Sequence, residues 1–337
     1  MIQQAISKLI EKQDLTITEA ESVMNQIMSG KATDAQIAGF LIALRLKGET
    51  IDEIAACAKV MREKASRIKP KKQNQLIDVV GTGGDKSGTF NISTASSFVV
   101  AGAGIPVAKH GNKGVSSKSG SADVLTSLGI NINLDPKKVE KCIDEVGIGY
   151  MFAPNFHGAM KYAIGPRKEL GVRTIFNILG PLTNPAEAPY ELMGVFEESL
   201  VEPLAEVLGK LGTKHALVVH GNGLDEITIE APTKVAEYQD GHVEHYQIKP
   251  TDFGIKLASI KEILGSTPDE NAKITIDILK GKEKGPKRNI VLLNAGAAIY
   301  TADKAESIQD GIDMAKNSID SGKALEKLNK LKDWTNK

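Results

Sequence analysis

The stretch Leu76-Ile77-Asp78-Val79-Val80-Gly81-Thr82-Gly83-Gly84-Asp85 decides how the chain is read. Its first half is a short apolar run rich in β-branched residues, the pattern of a strand covered on both faces. It stops at three glycines in four positions. Glycine inside a strand adds no side chain and costs backbone entropy, so these glycines mark a tight turn whose N–H groups face a ligand. Phosphate and pyrophosphate are the anions that such a turn suits, with a plain glycine-rich turn as the alternative. The spacing fits neither the Walker A pattern nor the dinucleotide fingerprint, so neither a P-loop NTPase nor a dinucleotide-binding fold is implied.

The same theme recurs further along the chain. Thr89-Phe90-Asn91-Ile92-Ser93-Thr94 places four hydroxyl or amide side chains at the start of a helical pattern over 91–103. There they cap the first turn and meet an anion with the positive end of the helix dipole. A strand over 105–108 then leads into Lys109-His110-Gly111-Asn112-Lys113-Gly114-Val115-Ser116-Ser117, which combines cations, glycines and donors suited to oxyanions. His110 reads as a non-catalytic imidazole, and Ser121 as the cap of a helix over 121–128. Strand patterns at 148–152, 192–196 and 216–220 alternate with helical ones at 136–146 and 199–211. That alternation predicts a largely parallel sheet covered by helices, with ligand loops at the strand C-termini.

Two further features join the loops. Asp225-Glu226 follows the turn Asn222-Gly223-Leu224, and adjacent acids in a loop grip Mg²⁺ through their oxygens; solvated surface is the plain alternative. Arg167, in the glycine- and proline-flanked turn Gly165-Pro166-Arg167-Lys168-Glu169, suits a bidentate pair with a carboxylate, again with surface as the alternative.

Upstream, the first 68 residues read as four helices. Ile2, Ala5, Ile6, Leu9 and Ile10 form one amphipathic stripe. Capping boxes at Thr18–Glu21, Thr33–Gln36 and Thr50–Glu53 open the other three, with Gly30 and Gly48 closing the second and third. Short connections make this a small bundle for packing or oligomerisation, and it carries no chemical constellation. Lys69-Pro70-Lys71-Lys72 reads as a solvated linker, and 304–331 as an amphipathic helical stretch. The expected fold class is α/β: an N-terminal helical bundle and a larger domain with a mainly parallel central sheet.

Composition agrees. A chain of 337 residues suggests two domains at about 150 residues each. With 42 basic and 42 acidic side chains, nothing favours bulk attraction to nucleic acid or to an anionic membrane. No apolar run is long enough to span a bilayer, and Met1 to Lys12 lacks a signal-peptide core. Cys57 and Cys142 stand alone and read as buried, reduced thiols of a cytoplasmic protein.

These motifs, with Gly165-Pro166-Arg167 and Asn177-Ile178-Leu179-Gly180-Pro181-Leu182-Thr183-Asn184-Pro185, make the chain resemble the anthranilate phosphoribosyltransferases over nearly its full length. These are nucleoside phosphorylase-like transferases of tryptophan biosynthesis. The resemblance implies a helical domain of 1–70 with a returning segment near 165–190, and an α/β domain of 71–164 and 191–337. It implies a homodimer through the helical domain. It also implies two substrates, anthranilate and 5-phosphoribosyl 1-pyrophosphate (PRPP), and two Mg²⁺ per site. Around PRPP it places Gly81, Gly84, Asp85, Thr89, Asn91, Ile92, Ser93, Thr94, Lys109, His110, Gly111, Asn112, Lys113, Gly114, Val115, Ser116, Ser117 and Ser121. Gly81, Asn112 and Arg167 would meet anthranilate; Ser93 with Glu226, and Asp225 with Glu226, would hold the metals. No nucleophile or strong base is implied, only electrostatics and positioning by Lys109, Asn112 and Arg167. The chain departs at Lys113, where family loops often carry arginine: lysine keeps the charge but not the planar fork. A nucleoside phosphorylase would need no partner for a substrate carboxylate. A nucleic-acid-binding relative would show a basic surface and eroded acids.

Overall fold

Threonine caps set the helical beginning of the chain. Helix α1 spans Ile2–Ile10; α2 (Ile17–Met28), α3 (Asp34–Lys47) and α4 (Ile51–Lys64) each open on a complete capping box. The boxes of α3 and α4 are Thr33–Gln36 and Thr50–Glu53, as expected from the sequence. That of α2 is Thr16–Glu19, not Thr18–Glu21. Glu19 is also held by Lys8 of α1 at 2.8 Å, whereas Glu21 faces α4 and pairs with Lys59.

The computed structural model describes residues 1–114 and 119–337. After the bundle come β1 (Ile77–Gly81), α5 (Ile92–Gly102), β2 (Val107–Gly111), α6 (Ser121–Ser127), α7 (Pro136–Val146) and β3 (Ile148–Phe152). The chain then returns through α8 (Ala153–Phe156), α9 (Lys161–Leu170) and α10 (Phe176–Leu179). It re-enters the sheet with β4 (Tyr190–Gly194), α11 (Val201–Lys210) and β5 (His215–His220). A hairpin of β6 (Thr233–Gln239) and β7 (His242–Ile248) precedes α12 (Pro268–Leu279), α13 (Pro286–Thr301), α14 (Ile308–Asp320) and α15 (Lys323–Thr335).

The sheet order is β3-β2-β1-β4-β5-β6-β7. Strands β1 to β5 are parallel, as expected, and the hairpin adds two antiparallel strands at one edge. Three sequence expectations need correction. Strand β2 starts later than residue 105 and runs on to Gly111, because its pairing with β3 extends from Val107↔Ile148 to Gly111↔Phe152; Lys109 and His110 are thus strand residues. The stretch 304–331 is two helices, broken at Gly322 with φ of +78°. The lysine-rich linker is docked: the amides of Lys69 and Lys71 donate to Glu140 and Asp144 of α7 at 2.7 and 2.8 Å, and Pro70 is buried.

Two large apolar clusters sandwich the sheet. One joins Ile77, Val79, Leu192 and Leu217 to α5, α13, α14 and α15. The other joins Val80, Met193, Val218 and Ala236 to α11 and to the bundle, through Phe40, Leu41 and Val60. The bundle core therefore continues the sheet core without a break. Helix α9 packs on α2 and α3, bringing the returning segment back onto the bundle.

At the N-terminal end of β5, His215 is 1% exposed, with its ring nitrogens 2.8 Å from Glu237 and 2.8 Å from Asp303. Tyr246 and Tyr300 also donate to Glu237. Burial opposes charge on His215, but the two carboxylates outweigh it and raise the imidazole above its usual value; the same contacts lower Glu237 against its own burial. A raised histidine stabilises fully below its unfolded value of 6.5 and loses that contribution as pH climbs through its folded value. A lowered glutamate contributes fully above 4.5 and loses it as pH falls. We predict that His215→Leu costs on the order of 3 kcal/mol at pH 6 and distinctly less at pH 9, measured by urea unfolding. An equal cost at both pH values would contradict a charged clamp.

Candidate active site

The strand order reverses between β1 and β4, since β2 and β3 lie on one side of β1 and β4 and β5 on the other. In an open α/β sheet the crevice at that switch point, beyond the strand C-termini, is where a ligand sits. Here the loops after β1 and β4 are stitched together: Thr82 donates its amide to Gly194 at 2.9 Å, and its hydroxyl accepts the Phe196 amide at 3.1 Å. The loop after β5 brings Asp225 into the same place. A Cβ on Gly81 would lie 2.5 Å from Asp225 Oδ2, and one on Gly194 only 1.7 Å from the Asp225 carbonyl oxygen. These two glycines are the space in which Asp225 sits.

Around Asp225 the predicted loops converge. Its Oδ2 accepts the Gly83 amide at 2.7 Å, so that one N–H of the glycine turn is held by the protein's own acid. Its amide faces Asp85 Oδ2 at 3.5 Å. Glu226 Oε1 accepts the Ser93 amide at 3.0 Å at the start of α5. Gly83 and Gly84 have φ of +70° and +79°, the left-handed region that side chains resist.

Lys109 stands differently from the sequence expectation of a loop cation. It is 4% exposed; its Nζ donates to Val79 O and, at 3.3 Å, to Ser93 Oγ, between Asp78 and Glu226. Asp78 is fully buried and accepts Asn184 Nδ2 at 2.7 Å and the His110 amide at 3.3 Å. Burial pushes Asp78 up to about 6 against the pull of Lys109, and the same burial lowers Lys109. Burial likewise raises Asp225 far above the carboxylate range, with Asp85 and Glu226 adding repulsion. It takes Glu226 up to about 8, opposed by Lys109. Carboxylates crowded out of water stay protonated unless a cation compensates them. Oxygen donors from Ser93, Asp225 and Glu226 fit Mg²⁺, which keeps waters and substrate oxygens in its shell. Among the described residues no three His, Cys, Asp or Glu side chains close around a metal by themselves, so substrate or solvent would complete the coordination.

The other expected residues divide. Asn91 is a tie, accepting from Asn271 at 3.0 Å and donating to the Ser119 carbonyl at 3.1 Å. Ile92 points into the core, and the Thr94 hydroxyl is buried without a partner among the described residues. Thr89 pairs in a bridge with Leu264. Asn112 and Lys113 are exposed. Ser121 is the first residue of α6, not its cap; Gly120 caps, with Asp123 taking the amides of Gly120 and Gly114. The Ser121 hydroxyl lies 3.0 Å from Tyr150 OH and 3.3 Å from the Asn112 carbonyl. Gly111 lies in β2, and Val115, Ser116 and Ser117 lie outside the described residues.

His110 is buried with its ring 5.0 Å from His157, and each Nε2 lacks a partner among the described residues. Burial holds His110 well below its usual value, with His157 adding to the effect, and brings His157 to about 4, so both rings are neutral at pH 7. Each bonds the backbone of the returning segment, His110 at Gly180 and His157 at Thr183. Arg167 is not in a turn: it lies in α9, which accommodates Pro166 inside. Its guanidinium stacks 4.9 Å over Phe176 and forms no ion pair among the described residues, while burial lowers its pKa. Asp78 and Asn184 stand in motifs that carry the family resemblance but have no expected role there, and no local pattern singles out His157, Arg173 or Phe196; the acid inside the apolar run 76–80 is the one sequence feature that fits a buried network.

Residues 73–325 match the glycosyl transferase family a/b domain, and residues 3–65 its helical bundle domain. The anthranilate phosphoribosyltransferase of Alkaliphilus metalliredigens is 57% identical over 98% of this chain and 97% of its own length. The crystal structure of the Thermus thermophilus anthranilate phosphoribosyltransferase superposes with a TM-score of 0.94 at 42% identity, covering 99% of each chain. That of the Saccharomyces cerevisiae anthranilate phosphoribosyltransferase with PRPP and Mg gives a TM-score of 0.91 at 27% identity, covering 99% of this chain and 98% of the other.

Because the Asp225 loop lies against Gly194, we predict that Gly194→Ala costs about 1–3 kcal/mol in urea unfolding, the range for overpacking. A variant as stable as the parent would show that Asp225 does not need that space.

Proposed function

The chain belongs to the anthranilate phosphoribosyltransferase family of glycosyl transferases, and from that premise we propose how its residues carry out the transfer. It moves the phosphoribosyl group of PRPP to the amine of anthranilate, giving N-(5-phosphoribosyl)anthranilate and pyrophosphate, as a step of tryptophan biosynthesis. The observation that carries this reading is the meeting of the glycine turn, the start of α5 and Asp225-Glu226 in one crevice, with no nucleophile among them.

The diphosphate of PRPP lies against the turn of Gly81 to Asp85 and the N-terminus of α5, where the positive end of the helix dipole and the half-buried Ser93 hydroxyl face it, while Asn91 ties the start of the helix to Ser119 and Asn271. Ser93 with Glu226, and Asp225 with Glu226, would hold two Mg²⁺, which when bound neutralise the charge of the departing diphosphate. Lys109 sits behind Ser93 and Glu226 and offsets part of the negative charge of that wall. The amine lone pair forms the new bond to the ribose C1 carbon as the C1–O bond to pyrophosphate breaks, and the nitrogen, cationic after attack and strongly acidic, gives up one proton to the released pyrophosphate or to water. An aromatic amine is neutral at pH 7, so the site needs alignment and charge stabilisation, not a strong base. Neutral His110 orients the 180–183 segment and takes no proton. The half-buried guanidinium of Arg167, without a protein counter-ion, pairs with the anthranilate carboxylate, while Asn112 and Gly81 border the ring.

The helical domain spans 1–70 and takes in the returning segment 165–190, a reading supported by the packing of α9 on α2 and α3. Exposed Ile10, Ile17, Leu46 and Ile164 on that lobe support a homodimer formed through it. None of the described helices is long and apolar enough to cross a membrane, and the reading places the enzyme in the cytoplasm.

Arg167→Ala should weaken anthranilate use roughly 10- to 150-fold, the loss expected for a charged hydrogen bond. A steady-state KM for anthranilate equal to the parent's would remove Arg167 from the site. Asp225→Asn with Glu226→Gln should abolish Mg²⁺-dependent turnover while circular dichroism stays native; full activity in the double variant would refute the metal assignment.

A further inference from the structure

Arg173 is used by nothing described so far, yet it bridges the two loops that frame the crevice. It lies just beyond Gly171, which ends α9 in the left-handed region with φ of +61°. Its Nη2 donates to the Gly84 carbonyl, inside the glycine turn. Its guanidinium stacks 3.8 Å over the ring of Phe196, in the loop after β4. Phe196 is fixed in turn by its amide bond to the Thr82 hydroxyl, so one guanidinium closes a ring of contacts around Thr82, Gly84 and Phe196. A Cβ on Gly84 would come within 3.3 Å of Arg173 Nη2, so the glycine also keeps room for the arginine. Among the described residues no carboxylate pairs with Arg173; its contacts are a backbone carbonyl and an aromatic face. A planar guanidinium satisfies both at once, and an ammonium does not.

The residue also has a particular address. Arg167 and Arg173 flank the end of one helix, and Phe176, the ring beneath Arg167, opens α10 three residues after Arg173. The segment that presents the anthranilate-side cation is thus the one that holds the phosphate-side turn.

We propose that Arg173 is a positioning residue that latches the glycine turn to the returning segment and so sets the backbone on which PRPP binds. The role in PRPP binding rests on the functional reading above; the latch itself does not. Without Arg173 the turn, which has two glycines in left-handed geometry, keeps among the described residues the bonds of Gly83 and Asp85 to Asp225 and those of Thr82, and it loses the pre-ordering that binding otherwise uses.

Two measurements on the full chain test this. In ligand-free protein, amide hydrogen exchange of a peptide covering 81–88 should quicken at least about fivefold in Arg173→Ala, with little change in α2 to α4. In steady-state assays the KM for PRPP should rise roughly tenfold, the loss of one charge-assisted bond, while kcat and the anthranilate KM at saturating PRPP stay within about twofold. Arg173→Lys, which keeps the charge and one donor but not the stack, should fall between the two, as should Phe196→Leu. Unchanged exchange would overturn the latch. Faster exchange with an unaltered PRPP KM would overturn its role in binding, as would a uniform loss of both substrates with a lowered melting temperature. If the parent itself failed to consume anthranilate, the functional reading would fall while the exchange result still decided the latch.

Discussion

The structure depends on how close Asp225 comes to the sheet. Its carbonyl and carboxylate occupy the volume that side chains at positions 194 and 81 would take, and its carboxylate fixes the turn at Gly83. Placing an acid there, next to Asp85 and Glu226, gathers carboxylates in a half-buried pocket where burial and mutual repulsion favour protonation. Such an arrangement is costly for the free protein and useful to a site that takes up cations with a polyanion. Lys109 offsets part of that charge, and Asp78 and Asn184 hold β1, β2 and the returning segment in register behind it. The chemistry thus consists of charges held apart by glycine, with no reactive side chain.

Much of this was legible in the sequence, for identifiable reasons. Alternating periodicities gave the helices of the bundle and the parallel strands, and the run of Gly81, Gly83 and Gly84 marked a tight turn after β1, where Gly83 and Gly84 take left-handed φ and Gly81 leaves room for Asp225. Capping boxes located α3 and α4, but at α2 two threonines satisfied the same pattern, and only a contact from α1 separated them. Strand β2 lies later than its apolar run, which ends at Ala108, because backbone pairing with β3 continues through polar Lys109 and His110. Asp240-Gly241, with φ of +50° and +86°, is the tight turn that joins β6 to β7, and the Asp-Gly pair between two alternating segments is its sequence signal.

The site was legible as a set of loops and not as a set of side-chain roles. Lys109 and His110 read as the start of a ligand loop directly after a strand, but they belong to the strand itself, which carries both inward. Arg167 read as a turn residue because Gly165-Pro166 precedes it, yet α9 continues through the proline. Arg173 and Phe196 gave no local signal, since their meaning comes only from the approach of residues that are distant in sequence. Periodicity and turn chemistry are local, whereas buried charge networks are made by topology.

The central claim is electrostatic, and protons report on it directly. Calorimetric titration of Mg²⁺ with PRPP at pH 7, repeated in buffers of different ionisation enthalpy, counts the protons exchanged on binding. With Glu226 raised to about 8 and Asp225 far above its usual range, the protein should release on the order of one proton or more, beyond what Mg²⁺ and PRPP release in free solution. Binding with no excess proton release would contradict the account, since the acids around Asp225 would then not be the groups that the cations neutralise.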